Sequence, residues 1–480
     1  MGKKRVMMVS DFFYPGMGGV EIHIYSLAQR LMSRGHKVII VTHADFASGR
    51  VGVRWLSRGL KVYYVPLFVF FRGNSFPTTW WTIPLFLQIV RRERIDLMHG
   101  HQAFSSLAHE WLTWGAAYGM PTVFTDHSLF GFNDVISINV NKLLQFTSGH
   151  IDHAICVSHT SRENTVVRST GALRPEDISV IPNAVDTERF YPRPPWGQGP
   201  ADTSGRIVVV VMSRLVYRKG IDLLVDVIPQ LCAERPDVDF LIGGDGDKRP
   251  ILERMLDEHC LHDRVSLIGA VPAQDVPEVL RCGHIFLNTS LTESFCMAIV
   301  EGAACGLDVV TTDVGGVPEV LPPELFHLCR PEPEDLLRGL KEALDSYFLA
   351  SPSRRHATVA QSYSWNDIAE RTERVYTKVQ AMPRRTFTEK VERQLRCGLY
   401  AGLYFCGCLI FAALLLDFYN WFWPQNWFDV APEWGDTYDD LFSVKVADGV
   451  NGGGPSSPER NGGPRPSRAA TPPRRTRAPR

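Results

Sequence analysis

The chain lacks the features that mark disulfide-rich, zinc-binding or nucleic-acid-binding proteins. None of its ten cysteines lies in a C-x-x-C pair or in a His/Cys cluster with zinc spacing, which predicts reduced thiols facing the cytosol. The 51 basic and 52 acidic residues nearly cancel, so no overall charge attracts the chain to nucleic acid. Too few apolar residues follow the basic N-terminus for a signal peptide, and this stretch predicts a first β-strand instead.

Uncharged apolar runs are also scarce, and the one at residues 397–416 is long enough to span a bilayer. Basic residues precede it and acidic residues follow it. The positive-inside rule therefore predicts a single transmembrane helix with the large N-terminal part in the cytosol. An aromatic belt is predicted at the far interface, made of Phe418, Tyr419, Trp421, Phe422, Trp423 and Trp427. A buried helix of a globular domain is the alternative.

The rest of the chain alternates short Val/Ile-rich runs with helical patterns, which predicts an α/β fold with two Rossmann-like units. Strands are predicted at 5–11, 37–43, 61–66, 96–99, 122–126 and 153–157, and again at 206–212, 239–243, 265–267, 284–288, 308–311 and 325–328. The segment 191–205 is rich in proline and glycine and is predicted to be a linker. The carboxyl ends of both sheets are expected to line a cleft.

Two glycine-rich turns follow predicted strands. Gly18 and Gly19 stand between the first strand and a helix at 19–34, and Gly243, Gly244 and Gly246 end a strand of the second unit. Such turns let a ligand approach the backbone, and free N–H groups of the next helix favour anions. For the Gly18-Gly19 turn, a purely structural tight turn is the alternative.

Two cations mark the first turn of the second unit. Arg214 and Lys219 lie where a strand gives way to a helix N-terminus, where positive charge is unfavourable for the helix. An anion such as a diphosphate between them would explain their position. Solvated basic loop residues are the alternative.

Two carboxylates flank the start of a helix predicted at 297–305. Glu293 lies on the preceding turn and Glu301 on the helix, and a carboxylate at this place can accept two hydrogen bonds from a ribose. Ordinary helix-end acids are the alternative. His127 ends a strand and is either a ligand contact or a core histidine, while His99 and His101 form a weaker pair. No metal site stands out.

Taken together, these motifs resemble the retaining GT-B glycosyltransferases of family 4. The resemblance covers about residues 5–380 and rests on GGVE from Gly18, VIPNAVD from Val180, SRLVYRKG from Ser213, GGDG from Gly243 and the Glu293/Glu301 pair. It implies an acceptor-side domain at 1–190 and a nucleotide-sugar domain at 206–364. A terminal helix with a basic juxtamembrane segment would follow at 365–396, then the transmembrane helix at 397–416 and a lumenal, largely disordered tail at 417–480.

The family's roles map onto matching positions. Arg214 and Lys219 would hold the donor diphosphate, Glu301 the ribose, and Glu293 the donor sugar, with His127 also at the sugar. Glu293, His127, Lys219 and Arg214 form the expected catalytic set. The other expected donor-binding residues are Gly18, Gly19, Gly244, Ser294, Phe295, Cys296 and Met297. Front-face attack, in which the leaving phosphate takes the acceptor proton, would need no side-chain base.

A closer resemblance, to members that build GPI anchors, implies the substrates. UDP-GlcNAc would be the donor and phosphatidylinositol the acceptor, without cofactor or metal, in a membrane complex with other subunits on the cytosolic face of the endoplasmic reticulum. A transferase for another lipid acceptor and a non-catalytic scaffold are the alternatives.

Two positions depart from the family pattern. Many members have glycine where Cys296 stands and proline where Asp247 stands, and neither change removes a charged role. The acceptor side is less defined, since residues 66–72 and 80–94 mix aromatic with basic residues. They form either a surface for lipid or a core helix that ends in cations.

Overall fold

Two parallel β-sheets with helices on their faces form the body of the protein. In the computed structural model, the described residues are 2–16, 18–71, 73–78, 80–193, 205–346, 351–424 and 427–431. Most of the predicted linker and the acidic and arginine-rich part of the predicted tail lie outside these ranges. The two-unit α/β architecture predicted from the alternating pattern is confirmed.

The first sheet has eight strands in the order β10-β9-β8-β7-β1-β2-β4-β3, all parallel except the edge strand β3. Their bounds are β1 Arg5–Val9, β2 Lys37–His43, β3 Gly52–Leu56, β4 Leu60–Val65, β7 Leu97–His101, β8 Thr122–Asp126, β9 His153–Cys156 and β10 Ile178–Val180. A separate antiparallel hairpin joins β5 Val69–Phe71 to β6 Asn74–Ser75. The central strands are buried on both sides, which is why they appear in the sequence as unalternated apolar runs.

The second sheet has six parallel strands in the order β13-β12-β11-β14-β15-β16. Their bounds are β11 Ile207–Met212, β12 Val238–Gly243, β13 Val265–Gly269, β14 Ile285–Asn288, β15 Asp308–Thr312 and β16 Phe326–Cys329. Every strand predicted from the sequence is present, with ends that differ by two residues at most. The strands β3 and β10 and the β5–β6 hairpin were not predicted.

Fourteen α-helices lie within the described residues. They are α1 Gly19–Ser33, α2 Ile83–Glu93, α3 Ser106–Ala117, α4 Val135–Ser148, α5 His159–Arg168, α6 Ile221–Glu234, α7 Arg249–His259, α8 Val276–Arg281, α9 Met297–Ala304, α10 Pro333–Ser346, α11 Pro352–Ser362, α12 Trp365–Ala381, α13 Phe387–Leu395 and α14 Leu399–Phe422. Most follow a strand and cover a sheet face, as crossover helices do.

The helix α12 returns from the second unit to the first and ties them together. Its Glu373 accepts hydrogen bonds from Arg34 and His36, and Tyr376 bonds His99 Nδ1 at 2.7 Å. Because α12 packs on α1, the C-terminal segment of the chain stabilises the N-terminal unit.

The predicted transmembrane run falls on α14, which is long and apolar enough to cross a membrane, with one third of its most apolar window buried. Its buried residues, Gly402, Phe405, Cys406, Leu409, Ala412 and Leu416, recur at helical spacing and pack on the first unit. Near its end, Arg91 donates to Asn420 and to the carbonyl of Trp423. The opposite face of α14 is apolar and exposed.

Candidate active site

The glycine turn after β1 lies against the start of α9, between Glu293 on the preceding loop and Glu301 on the helix. Gly18 caps the N-terminus of α1, and a side chain there would place its Cβ 2.5 Å from a carboxylate oxygen of Glu21. A Cβ at Gly19 would lie 3.8 Å from Cγ of Met297, the first residue of α9. The turn therefore approaches the second unit closely.

The turn after β11 is built around Gly220. Gly220 has φ +66°, and a Cβ on it would lie 1.8 Å from the carbonyl oxygen of Thr289. Thr289 Oγ1 donates to the carbonyl of Lys219 at 2.9 Å, and the N–H of Leu291 donates to that of Arg218 at 2.9 Å. Only glycine satisfies both the backbone angle and this approach, so the loops after β11 and β14 are locked together.

Lys219 and Glu293 form an ion pair across these two loops. The Lys219 ammonium donates to Glu293 Oε1, which also accepts from Ser290 Oγ at 3.0 Å. Both side chains are 16% exposed. Burial disfavours the ammonium, but the Glu293 carboxylate outweighs burial and raises the pKa of Lys219 above its usual value. Lys219 and Glu293 therefore act as one ion pair rather than as two separate contacts.

Arg214 lies on the same turn and is exposed. Burial raises the pKa of Glu21, and the charge of Arg214 acts in the opposite direction, which locates Arg214 near the Gly18 turn. The glycines after β12 serve this turn structurally, since a Cβ at Gly244 would lie 1.8 Å from the carbonyl oxygen of Ser213. Gly244 therefore supports the Arg214 loop.

Glu301 is partly buried on the second turn of α9. Burial raises its pKa to about 7, and the positive charge of Arg189 works against that rise. A carboxyl group that gains a proton near neutral pH, beside a cleft, is a common mark of a functional site.

Cys296 caps the N-terminus of α9 in the left-handed region, with φ +63°. A side chain in this conformation costs about 1–2 kcal/mol relative to glycine, which gives a physical reason for the glycine that the family resemblance implies here. The thiol is buried, and burial raises its pKa to about 12. Cys296 is therefore protonated at neutral pH and unsuited to act as a nucleophile.

His127 joins the two units at the end of β8. Its carbonyl accepts a hydrogen bond from Ser294 Oγ at 2.5 Å, next to Glu293. Its imidazole belongs to a histidine cluster in which His101 Nδ1 lies 3.3 Å from His127 Nε2 and the His23 ring lies 4.6 Å from that of His127. Burial and the neighbouring histidines hold the pKa of His127 well below its usual value, so the ring is neutral.

Three of these histidines could hold a metal ion. Ring nitrogens of His23, His101 and His127 lie within 4.8 Å of one another, the one such group among the described residues. His101 Nε2 and His23 Nδ1 are buried without a hydrogen-bond partner.

The weaker pair predicted from the sequence, His99 and His101, does not act together. His99 bonds Tyr376 and Thr125, with its Nε2 2.6 Å from Thr125 Oγ1, and is a core residue. His101 belongs to the group of three histidines.

Two supports of the site were not recognised in the sequence. Gly315 and Gly316 follow β15, and the N–H of Gly316 donates to the carbonyl of Glu293 at 2.9 Å. Glu319 accepts hydrogen bonds from the N–H groups of His159 and Thr160 in the first unit, at 2.6 and 2.8 Å. The signal that could have revealed them is the glycine pair after a strand, as at Gly18 and Gly243.

The arrangement brings most predicted residues to one cleft edge. The Gly18 turn follows β1, His127 follows β8, and Arg214 and Lys219 follow β11. Glu293 and the Ser294–Met297 turn follow β14, and Glu301 lies on α9 directly after them. Two cations and a helix N-terminus suit an anionic group, and two carboxylates suit hydroxyl groups. Chemically, such a site can bind a nucleotide diphosphate joined to a sugar.

Comparison with known proteins gives two family matches. Residues 43–134 match the family model described as PIGA (GPI anchor biosynthesis), and residues 197–365 match glycosyl transferases group 1. A phosphatidylinositol N-acetylglucosaminyltransferase subunit from Arabidopsis thaliana is 50% identical over 434 residues, covering 90% of this chain and 94% of that protein. The Homo sapiens protein of the same name is 50% identical over 431 residues, covering 89% and 87%.

Solved structures agree with the fold. Sucrose-phosphate synthase from Thermosynechococcus elongatus superposes with a TM-score of 0.66 at 20% identity, covering 79% of this chain and 100% of that one. Anabaena HepE in complex with UDP gives a TM-score of 0.60 at 19% identity, covering 78% and 100%. These likenesses confirm the GT-B architecture.

Proposed function

The chain belongs to the PIGA family of phosphatidylinositol N-acetylglucosaminyltransferase subunits, which serve GPI-anchor biosynthesis, and from this membership we propose that it transfers GlcNAc from UDP-GlcNAc to phosphatidylinositol with retention of configuration. Its assignment as a glycosyltransferase follows from the same matches. The donor, the acceptor and the stereochemistry are the parts we propose.

The observation that carries the proposal is the Lys219–Glu293 ion pair at the cleft edge, with Arg214 on the same turn and Glu301 on α9. We assign the diphosphate to Arg214 and Lys219, the ribose to Glu301 and the sugar hydroxyls to Glu293. Binding the diphosphate would draw Lys219 partly away from Glu293 and leave that carboxylate free to accept from the sugar. The ion pair therefore holds both side chains at the site before the donor binds.

The chemistry proposed is a front-face displacement. A hydroxyl oxygen of the inositol bonds to the anomeric carbon as the bond from that carbon to the UDP phosphate breaks, and the hydroxyl proton passes to the leaving phosphate oxygen. Arg214 and Lys219 stabilise the negative charge that develops on the diphosphate. The neutral state of His127 supports a positioning role beside the sugar.

No step in this scheme uses a metal ion, and we propose that the reaction needs none. The chelator EDTA should leave the transfer rate unchanged in washed membranes. If EDTA instead abolishes transfer and Zn²⁺ or Mn²⁺ restores it, the metal-free scheme is wrong. The group of His23, His101 and His127 would then be the metal site, and His101→Ala should prevent the restoration.

We propose that the protein resides in the endoplasmic reticulum membrane, with α14 as its single span, the catalytic part cytosolic and the C-terminus lumenal. The apolar length of α14 and the charge asymmetry around it support this orientation. The hydrogen bonds from Arg91 to Asn420 and Trp423 favour a second arrangement, in which α14 lies along the membrane surface. A glycosylation acceptor sequence added at the C-terminus separates them, because only a lumenal C-terminus is glycosylated.

The relatives are named as subunits, and we propose that this chain also works in a complex with other membrane proteins. The exposed apolar face of α14 supports packing against further helices. Detergent extracts should therefore contain the chain in a particle larger than its 54.0 kDa mass.

The acceptor is tested in membranes that carry this chain and its partner proteins but no endogenous transferase. With labelled UDP-GlcNAc, labelled lipid should form when phosphatidylinositol is supplied and should be cleaved by a phosphatidylinositol-specific phospholipase. Label that enters polyprenyl phosphate instead, or that does not depend on phosphatidylinositol, would overturn the acceptor assignment.

A further inference from the structure

The β5–β6 hairpin and the turn after it expose an unusual set of aromatic side chains. Phe68 is 74% exposed, Phe70 51%, Phe76 56% and Trp81 88%. Exposed apolar groups that lie together, as the rings of Phe70 and Phe76 do at 5.7 Å, mark an interaction surface. By contrast, α2, the helix that follows, is a core helix with buried Phe86 and Leu87, so the sequence segment 66–94 divides into a surface part and a core part.

The hairpin is held firmly beside its turn, through β6. The N–H of Ser75 donates to Asp11 Oδ1 at 3.0 Å, and Asn74 exchanges two hydrogen bonds of 3.0 Å each with Ser106. Asp11 also accepts from Ser105 Oγ at 2.7 Å. Because these contacts fix the hairpin to the end of β1, its aromatic side chains project from a rigid support.

A row of aromatic rings connects the hairpin with the cleft. The rings of Phe71 and Phe104 are 6.3 Å apart, and Phe104 lies 6.3 Å from Phe12. Phe12 follows Asp11 and begins the loop that leads to Gly18. The row therefore joins the exposed hairpin to the start of the loop that leads to the glycine turn.

The segment that follows the hairpin contacts the apolar helix α14. Trp80, at the turn before α2, packs edge-on against Phe411 of α14 with ring centroids 4.5 Å apart. On the exposed side of α14, Leu414 is 62% and Phe418 51% exposed. Both surfaces suit a phospholipid leaflet. Aromatic side chains favour its interface, and the apolar faces of helices favour its acyl region.

We propose that the β5–β6 hairpin enters the cytosolic phospholipid leaflet and guides the lipid acceptor into the cleft. The acyl chains stay in the leaflet beside Phe68 and Phe70, and the headgroup reaches the glycine turn along the Phe71–Phe104–Phe12 row. The choice of phosphatidylinositol as that lipid rests on the proposed function.

The first test compares two acceptors in the assembled membrane complex. Phe68→Ser together with Phe70→Ser should raise the KM for long-chain phosphatidylinositol in the bilayer about tenfold, since aromatic burial is lost. The rate with a short-chain, water-soluble phosphatidylinositol should stay unchanged. Phe46→Ser is the matched control, because Phe46 is 64% exposed on the loop between β2 and β3.

The outcomes separate the two proposals. An unchanged KM for the long-chain acceptor overturns the hairpin inference, and so does an equal loss with both acceptors. If the unaltered complex labels neither acceptor, the proposed function itself is wrong.

A second measurement does not depend on activity. A photoreactive phenylalanine analogue at position 70 of the full chain should crosslink to phospholipid after irradiation of intact membranes. The same analogue at position 46 should give no lipid adduct. Crosslinking from position 70 to another protein alone would identify a protein–protein interface and contradict insertion into the leaflet.

Discussion

At the scale of single residues, the site depends on charges that are partly removed from water. Lys219 and Glu293 are each 16% exposed, and a partly buried charge is costly when its partner is removed. Ser290 adds a further hydrogen bond to the Glu293 carboxylate. Because Lys219 donates and Glu293 accepts in one contact, their contributions to catalysis should be coupled.

A double-mutant cycle tests this coupling. Lys219→Ala and Glu293→Gln should each lower the transfer rate about 100- to 1000-fold, as loss of a transition-state contact does, and the double variant should be little worse than either single one. Lys341→Ala, which removes a surface lysine paired with Glu234, should leave the rate unchanged. Losses that multiply in the double variant would show that the two residues act separately.

Glu301 predicts a pH dependence of donor binding. With its pKa at about 7, the group is protonated as the pH falls below 7 and loses acceptor capacity for the ribose. The KM for the donor should therefore rise as the pH falls from 8 to 6. Glu301→Gln should bind the donor weakly at every pH, and a wild-type KM that stays constant over this range would contradict the assignment.

The raised pKa of Glu301 also makes the stability of the fold depend on pH, in the direction opposite to donor binding. The folded-state pKa of about 7 lies above the ordinary value of 4.5, so ionisation of Glu301 destabilises the folded state as the pH rises through that window. Glu301→Gln should raise the melting temperature at pH 8 and change it little at pH 4. The gain is at most about 3 kcal/mol, because the side chain retains some contact with water.

The sequence predicts these residues but not how they pair. Arg214 and Lys219 stand out because cations are unfavourable at a helix start, whereas Glu293 is visible only as an acid on a turn. The Lys219–Glu293 contact joins positions 74 apart in the chain, and it depends on strand order, which no local pattern contains. The positive φ of Cys296 was likewise invisible, since cysteine rarely adopts it.

At the scale of secondary-structure elements, the site is a set of loops that support one another. Glycines after β11, β12 and β15 let neighbouring loops approach through backbone atoms. The parallel strands were predicted well because both faces are buried and the runs are strongly apolar. The β5–β6 hairpin, with three and two residues in its strands, and β10, with three, were too short to produce a pattern.

Gly220→Ala tests the loop support. Both Gly220 and Gly171 have positive φ, but a Cβ at Gly220 would lie 1.8 Å from the carbonyl oxygen of Thr289, whereas one at Gly171 meets open space. Gly171→Ala should cost about 1–2 kcal/mol from its backbone angle alone. Gly220→Ala should cost more in the free energy of unfolding and should also abolish transfer, because it moves Lys219. Equal costs at the two positions would show that the contact with Thr289 is unimportant.

At the scale of the whole molecule, the two units are joined by several independent contacts. Ser294 bonds the carbonyl of His127, Glu319 caps the start of α5, and α12 bonds Arg34 and His99 through Glu373 and Tyr376. The donor loops therefore come together only when both units are folded. The aromatic hairpin and α14 extend this arrangement to a membrane surface.

The central claim is that Arg214, Lys219 and the two glutamates form a nucleotide-sugar site. The most direct measurement is calorimetric titration of the purified complex with UDP in the presence of EDTA. We predict one UDP per copy of this chain, with the Kd raised at least about tenfold by Lys219→Ala and unchanged by Lys341→Ala. No binding, or binding that Lys219→Ala leaves unaltered, would contradict the claim.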